Sequence, residues 1–493
     1  MNVREAAALM GADITGLGAA MFDNKITGFS IDSRSAGAGE LFFALSQRDY
    51  TRAGFNGDFV DAHRFISDAF QRGAIAAVAR RDRVNGDPEL EALRDRLVLV
   101  DDAIGALQQL AHRVYQAWDK PVVGITGSAG KTTAKELTAH VLQSAGSRVL
   151  KSERNYNNGL GLPLSVLRMV SEGNSPDQFD LSVLEMGMSS PTHEIRRLCR
   201  ITPPDVGVEL MVAPVHLEYL GTIENVAAAK AELIEGLKPS GTAILNADDP
   251  LVMKMRGKHA GKTLTFGIAN RADVSAGDID TRRLGQISFR LLTPNGEARA
   301  ELAMSGYHNL SNALAAATVG VTFGLPAEQI ADALSTARPP KMRGEIIDFA
   351  AGFTVIDDSY NSNPRSLLNM VRTMAEAGES RKRLFVIAGE MLELGPEEAS
   401  LHRAAGREIA ETGVNVVWGV RGLAREIVAG AREAGISQTR FLHSSDEAAT
   451  EIVKEVREGD LVLVKGSRGV ATEKVINALK ERFPLAGEDI GHR

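Results

Sequence analysis

Residues 121–133, with the sequence PVVGITGSAGKTT, constrain the fold more than any other stretch of this chain. The apolar run predicts a buried strand, the glycines at 124, 127 and 130 predict a loop, and Lys131 begins a helical pattern. A strand, a glycine loop and a helix N-terminus form a phosphate cradle, where Lys131 adds a cation and the Thr132 hydroxyl can reach Mg²⁺. Ile125 replaces the glycine of the usual loop, so the alternative is a chance glycine-rich turn. The stretch predicts binding of a nucleoside triphosphate.

Length and composition predict several folded domains. The 493 residues suffice for about three domains, and 44% apolar with 24% charged residues is typical of soluble globular proteins. The net charge of −7 disfavours nucleic acid as a partner. The single cysteine, Cys199, excludes an intrachain disulfide, and no apolar run approaches the ~18 residues of a membrane span. We therefore expect a cytoplasmic protein, active as a monomer.

Alternating apolar runs and helical patterns predict an α/β fold with three domains. The helical pattern of 103–118 is followed by Asp-Lys-Pro, which places the first boundary there; Pro339-Pro340 marks the second. Residues 1–118 form the predicted N-terminal α/β domain. Residues 119–337 form a mostly parallel, ATPase-type sheet with an antiparallel excursion over 273–304. Residues 338–493 repeat strand and helix as a Rossmann-like domain does.

Polar side chains follow the predicted strands of the second domain. Glu185 ends an apolar strand, where it could bind Mg²⁺ or be a solvated strand-end carboxylate. His216 follows the next strand, and a lone histidine of this kind is more often a hydrogen-bonded loop residue than a ligand. Lys230 lies in a helical pattern and, from the residues alone, is interpreted as a surface lysine.

Two further segments carry polar groups at binding positions. Asn309 and Asn312 lie at spacing three at the start of a helix, where amides can pair with an adenine edge or simply cap the helix. In the third domain, residues 357–364 follow a strand and form either a binding loop or an ordinary turn. Residues 465–469, Lys-Gly-Ser-Arg-Gly, also follow a strand and could hold an anion.

Taken in order, these motifs resemble the Mur ligases, the ATP-dependent amide ligases of peptidoglycan precursor synthesis. The resemblance covers nearly the whole chain. It rests on these segments: 124–133, 155–163, Glu185-Met-Gly187, His216-Leu-Glu218, Lys230, Gly306-Tyr-His-Asn309 with Asn312, Arg343, 357–364, 389–395 with His402, and 465–468. The third-domain motifs resemble those of the members that join D-alanyl-D-alanine to UDP-N-acetylmuramoyl-tripeptide.

The resemblance implies a carboxylate-activating ligase that uses ATP and Mg²⁺. The implied catalytic residues are Lys131, Glu185, His216 and Lys230, and the implied metal ligands are Thr132, Glu185, His216 and Lys230. In this family the lysine that matches Lys230 is carbamylated, which turns a cation into a metal-binding carboxylate. Asn309 and Asn312 would contact adenine, Arg343 the phosphates and Asp358 the ribose.

The remaining implied contacts concern the phosphates and the substrates. The phosphate loop would be formed by Gly127, Ser128, Ala129, Gly130, Lys131, Thr132 and Thr133. The first domain would bind the uridine diphosphate end of the substrate, with Ser33 and Arg34 near it. The other substrate contacts would be made by Asn157, Asn158, Tyr360, Asn361 and Asn363. Three departures from the family pattern are Met211, where asparagine is frequent, Ser362, where alanine is usual, and the longer segment 46–62. The alternatives are another Mur-type ligase, a folylpolyglutamate synthase-like ligase, or a non-catalytic nucleotide-binding module.

Overall fold

The computed structural model describes residues 1–55, 57–153, 156–188, 193–215, 217–377 and 383–487. Its strands form three sheets of four, nine and six strands. The first sheet lies within residues 29–100, the second within 122–302 and the third within 345–465. The mixed α/β class predicted from the sequence is confirmed. The boundaries at 118 and 337 stay predictions.

The first sheet is parallel, in the order β1-β2-β3-β4. Its strands are β1 (Phe29–Ser30), β2 (Leu41–Phe43), β3 (Ala76–Arg80) and β4 (Leu97–Val100). The helices are α1 (Val3–Met10), α2 (Gln47–Arg52), α3 (Ile66–Gln71), α4 (Arg81–Val84), α5 (Pro88–Glu91) and α6 (Ala103–Trp118). Helix α6 has the bounds that its apolar spacing predicts, and Asp102 caps it by accepting from the Gly105 N–H.

The second sheet has the order β13-β12-β11-β10-β9-β8-β5-β7-β6, so the strand before the phosphate loop is central. Its strands are β5 (Val122–Thr126), β6 (Val149–Lys151), β7 (Leu181–Glu185), β8 (Val206–Glu209), β9 (Thr242–Asn246), β10 (Lys262–Gly267), β11 (Val274–Asp280), β12 (Ile287–Thr293) and β13 (Gly296–Leu302). Strands β11 to β13 pair antiparallel, as the pattern of 273–304 predicts. The other pairs are parallel, and β5 is buried throughout, as expected for a strand covered on both faces.

Helices cover this sheet and connect it with the first domain. They are α7 (Lys131–Ser144), α8 (Gly161–Leu167), α9 (Glu194–Ile201), α10 (Leu217–Leu220), α11 (Ile223–Glu235), α12 (Pro250–Met253), α13 (Tyr307–Thr322) and α14 (Ala327–Thr336). Leu107, Leu110 and Val114 of α6 belong to the same apolar core as Leu162 of α8 and Leu198 of α9. The first and second sheets therefore share one hydrophobic core across the predicted boundary.

The third sheet has the order β14-β15-β19-β16-β17-β18. Its strands are β14 (Glu345–Asp348), β15 (Thr354–Asp358), β16 (Arg383–Gly389), β17 (Val416–Val420), β18 (Gln438–Leu442) and β19 (Asp460–Lys465). The helices are α15 (Pro364–Ala377), α16 (Glu398–Ala410), α17 (Ala424–Glu433), α18 (Ser445–Glu455) and α19 (Glu473–Arg482). Only β14 pairs antiparallel, and the strand–helix pattern did not predict it because it is a short, partly exposed edge strand.

Candidate active site

The phosphate loop joins β5 to α7 through two glycines with positive φ. Gly127 has φ 155° and Gly130 has φ 86°, a region that side chains with a Cβ rarely adopt. A Cβ built on Gly130 would lie 2.4 Å from Oδ1 of Asn312, on helix α13. Lys131 opens α7, and its ammonium donates to the Gly127 carbonyl (2.9 Å). The predicted strand, loop and helix are thus present, with Asn312 packed against the loop.

Residues beyond strand β8 support this loop. The Ser128 N–H donates to the Met211 carbonyl (2.8 Å), the Ser128 hydroxyl donates to the Ala213 carbonyl (3.1 Å), and the same hydroxyl accepts from the Ala213 N–H (2.9 Å). Because Met211 uses its backbone carbonyl, its side chain is not needed for this contact. Methionine in place of the family's frequent asparagine at position 211 therefore keeps this backbone hydrogen bond to the loop.

Thr132 and Glu185 meet at the first turn of α7. The Thr132 hydroxyl donates to Oε2 of Glu185 (3.0 Å), and Nδ2 of Asn157 donates to Oε1 of the same carboxylate (2.8 Å). The Ser152 hydroxyl fixes the end of β7 by accepting from the Glu185 N–H (3.0 Å). Nη2 of Arg343 donates to the Thr132 hydroxyl (3.2 Å). These five residues, which come from separate parts of the sequence, therefore converge beside the phosphate loop.

Lys230 is buried, with 2% of its surface exposed, so its interpretation as a surface lysine is wrong. It lies on α11, four residues after Val226 and three before Leu233, which are both buried in the same helix. Burial, together with the charge of Lys131, lowers the pKa of the Lys230 amine to about 7, against the opposing effect of Glu209. The amine is therefore much more often neutral than that of an exposed lysine.

Glu209 is a functional candidate that the sequence reasoning missed. It ends β8, pairs in register with Thr126 of β5, and is 0% exposed. Neither carboxylate oxygen has a hydrogen-bond partner within the described chain. Burial raises the pKa of Glu209 to about 8, although the charges of Lys230 and Lys131 lower it. A glutamate inside the apolar run Val-Gly-Val-Glu-Leu was the sequence signal that could have identified it.

The two predicted adenine residues are both buried at the start of α13. Asn309 donates from Nδ2 to the Ser305 carbonyl (2.9 Å), which fixes the beginning of the helix, and Asn312 faces Gly130. Their contact with adenine stays a prediction. Burial lowers the pKa of the neighbouring His308, against the influence of Asp358.

Arg343 connects the second and third sheets. Its guanidinium carbon lies 4.1 Å from the centre of the Tyr360 ring, while Nη2 reaches Thr132 of α7. Its charge lowers the pKa of Lys131, although burial of the lysine is the larger cause. The cations Lys131 and Arg343 thus both lie at the loop and the first turn of α7, an arrangement suited to a polyanion.

The strand ends of the third sheet hold one another in place. The Lys465 ammonium donates to Oδ2 of Asp358 (2.5 Å) and to the Asn361 carbonyl (2.8 Å). Asp358, the predicted ribose contact, is thus paired with a buried lysine. Asn363 starts α15 by accepting from the Ser366 N–H (2.9 Å). The substrate and ribose contacts of these residues stay predictions.

The remaining predicted residues lie apart from this cluster or outside the described chain. Ser33 and Arg34 follow β1 of the first sheet, and Arg34 is exposed and paired with Asp32. The Asn158 side chain accepts from the Gly161 N–H (2.9 Å) at the start of α8. His216 lies outside the described residues. Among the described residues, no group of three or more His, Cys, Asp or Glu could hold a metal ion.

Comparisons with known proteins agree with this architecture. The Mur ligase middle domain model matches residues 125–320, and the Mur ligase, glutamate ligase domain model matches residues 342–468. The UDP-N-acetylmuramoyl-tripeptide–D-alanyl-D-alanine ligase of Bacillus subtilis is 33% identical over 458 residues, covering 92% of this chain and 93% of that protein.

Solved structures are similar over the same extent. MurF from Acinetobacter baumannii matches with a TM-score of 0.81 and 25% identity, covering 97% of this chain and 98% of the other. MurF ligase from Thermotoga maritima, in complex with ADP, matches with a TM-score of 0.76 and 27% identity, covering 93% and 98%. The two matched domains define a Mur-type ligase. More narrowly, the chain belongs to the family of UDP-N-acetylmuramoyl-tripeptide–D-alanyl-D-alanine ligases, which confirms the enzyme class and the family predicted from the sequence.

Proposed function

We propose that this chain joins D-alanyl-D-alanine to UDP-N-acetylmuramoyl-tripeptide with ATP, through an acyl phosphate. Its family membership supports this reaction, as does the ADP bound to the similar Thermotoga maritima ligase. The observation that carries the proposal is the meeting of the Thr132 hydroxyl, the Glu185 carboxylate and the Arg343 guanidinium beside the glycine loop. That arrangement offers an anion site and an adjacent carboxylate at one helix N-terminus.

In the first chemical step, the γ-phosphoryl group of ATP passes to the terminal carboxylate of the tripeptide, and ADP leaves. The loop N–H groups, Lys131 and Arg343 would hold the phosphates and offset the charge that two approaching anions bring together. Lys131 now donates to the Gly127 carbonyl, a contact that it can exchange for a phosphate oxygen. In the second step the dipeptide amine attacks the acyl carbon, phosphate leaves and the amine loses a proton, giving the amide.

The donors beside the loop fit Mg²⁺. Thr132 Oγ1 and Glu185 Oε2 are oxygen ligands 3.0 Å apart, and Mg²⁺ prefers oxygen ligands shared with substrate phosphates. We therefore assign Thr132 and Glu185 to the bound cation, which would supply charge neutralisation at the phosphates. A second Mg²⁺ would use His216 and carbamylated Lys230.

The burial of Lys230 supports its modification. Carbamylation joins the neutral amine to carbon dioxide, and the nitrogen releases a proton to give an anionic carbamate; the pKa of about 7 leaves a large share of the amine neutral. Glu209 and Lys131 are the charges that act on this amine.

We also expect the chain to act in the cytoplasm as a monomer. Within the described residues, no helix has the length and apolar character needed to cross a membrane.

The test is ADP release across a panel of UDP-muramoyl peptides and amine acceptors, with product mass measured in parallel. We expect Mg²⁺-dependent ADP release only when the tripeptide and D-alanyl-D-alanine are both present. The product should equal their sum less one water. Equal ADP release with glutamate and a folate would instead identify a folylpolyglutamate synthase-like ligase. Another preferred amino acid or UDP-muramoyl peptide would identify a different Mur-type ligase.

A further inference from the structure

Arg343 is held between two sheets by contacts that differ in kind. On one side Nη2 donates to the Thr132 hydroxyl at the start of α7. On the other side the guanidinium lies 4.1 Å from the centre of the Tyr360 ring, the distance of a cation–π contact. Within the described chain, no carboxylate forms an ion pair with Arg343. The arginine therefore keeps its charge available for an anion beside the loop.

The backbone around Arg343 is hydrogen-bonded to the end of β15 and to the turn after it, which carries Tyr360. Met342 has a left-handed φ of 62°, and its carbonyl accepts from the Tyr360 N–H (3.3 Å). On the other side, the Gly344 N–H donates to the Asp357 carbonyl (2.8 Å). Both anchors belong to the end of β15 and the turn after it. The position of the third sheet thus sets where the Arg343 side chain begins, and the Tyr360 ring then sets its direction.

A second guanidinium lies near the same ring but has another partner. Arg468 is 5.9 Å from the centre of the Tyr360 ring, and its Nη1 donates to Oε1 of Glu473 (2.9 Å). Because the Arg468 guanidinium is paired with Glu473 and lies farther from the ring, the cation–π contact of Tyr360 is mainly with Arg343. An aromatic face suits a guanidinium because the ring attracts the cation without satisfying its N–H donors, which stay directed at the loop.

We propose that Tyr360 is a positioning residue that aims Arg343 at the phosphates of the bound nucleotide. This role differs from the substrate contact expected from the sequence. It rests on the proposed function only in taking ATP as the ligand. Tyr360 lies two residues after Asp358, the last residue of β15, and its ring contacts Arg343, which in turn reaches Thr132 beside the phosphate loop. Nucleotide affinity then depends on how the third domain is placed, through one ring and one guanidinium.

The test is a double-mutant cycle on the full chain, with binding of a non-hydrolysable ATP analogue measured by titration calorimetry. We expect Tyr360→Leu to weaken binding about two- to five-fold, the size of a partly exposed cation–π contact, and Tyr360→Phe to retain most of the affinity. In the Arg343→Ala background, Tyr360→Leu should have no further effect. The matched control is Phe22→Leu, which removes a cation–π contact with Arg4 (4.5 Å) in the first domain.

Two results would overturn the proposal. The first is an equal loss of affinity from Tyr360→Leu in the wild-type and Arg343→Ala backgrounds. The second is unchanged nucleotide binding together with a raised KM for D-alanyl-D-alanine, which would make Tyr360 a substrate contact. The binding cycle needs no turnover. An enzyme that binds the analogue but makes a different amide would therefore contradict the proposed function and leave this inference standing.

Discussion

Replacing Gly130 by alanine tests whether the shape of the phosphate loop depends on a missing Cβ. Gly130 has φ 86°, and its Cβ would lie 2.4 Å from Oδ1 of Asn312, which is itself buried. The chain offers a matched control in Gly146, which follows the same helix, α7. Gly146 has φ 91°, but a Cβ there meets nothing within 4 Å. Comparing Gly130→Ala with Gly146→Ala therefore separates the cost of backbone strain, which both variants share, from the cost of the contact with Asn312, which only Gly130→Ala has.

The expected losses of stability follow from three contributions. A left-handed alanine costs about 1–2 kcal/mol. The reduced freedom of the unfolded chain returns about 0.4–1 kcal/mol. Gly146→Ala should therefore lower the free energy of unfolding by roughly 1 kcal/mol. Gly130→Ala adds an overpacking cost of about 1–3 kcal/mol, giving roughly 2–4 kcal/mol in all. Because the loop and Asn312 must both shift, Gly130→Ala should also weaken ADP binding at least about ten-fold, or 1.4 kcal/mol.

The assays are denaturant unfolding of both variants and ADP titration by calorimetry. Gly146→Ala should bind ADP as the wild type does, since it lies at the far end of the helix from the loop. Equal losses of stability in the two variants, combined with wild-type ADP affinity in Gly130→Ala, would refute the reasoning. Such a result would mean that the loop tolerates a Cβ and that Asn312 does not restrict it.

Three other substitutions probe the charges of the site. Lys131→Ala should abolish ADP release, and residual turnover above one-hundredth of wild type would contradict its role at the phosphates. Lys230→Ala should lose activity that short carboxylic acids partly restore; full activity without them would exclude a carbamate. Glu209 has a folded-state pKa of about 8 against 4.5 unfolded, so its stabilising contribution is present below pH 4.5 and is lost as pH rises to 8. The free energy of unfolding of Glu209→Gln, relative to that of wild type, should therefore rise between pH 5 and 8 by on the order of 3 kcal/mol. Denaturant unfolding at several pH values measures this difference, and a difference that does not change with pH would refute the prediction.

Single elements of the fold and of the site were predicted well because their sequence signals are local. Helix α6 has the predicted bounds, and the glycine spacing before Lys131 correctly predicted the loop. Strand β14 was missed because four residues at a sheet edge carry little periodicity. The burial of Lys230 did have a signal, since it occupies a position of the apolar stripe between Val226 and Leu233. Lys230 was interpreted as a surface residue because lysine is charged, although its place in the apolar stripe indicates burial.

The convergence of charges could not be derived from spacing, because each charge comes from a different element. Lys131 opens α7, Lys230 lies on α11, Glu185 and Glu209 end β7 and β8, and Arg343 lies in the linker before β14. Parallel strands bring the two carboxylates to one sheet edge, but only tertiary packing sets their depth. Burial raises the pKa of Glu209 and lowers that of Lys230, so both charges of that pair are weakened together. The positive charges of Lys131 and Arg343 then outnumber the negative charge of Glu185, an excess that suits an anionic ligand such as a polyphosphate.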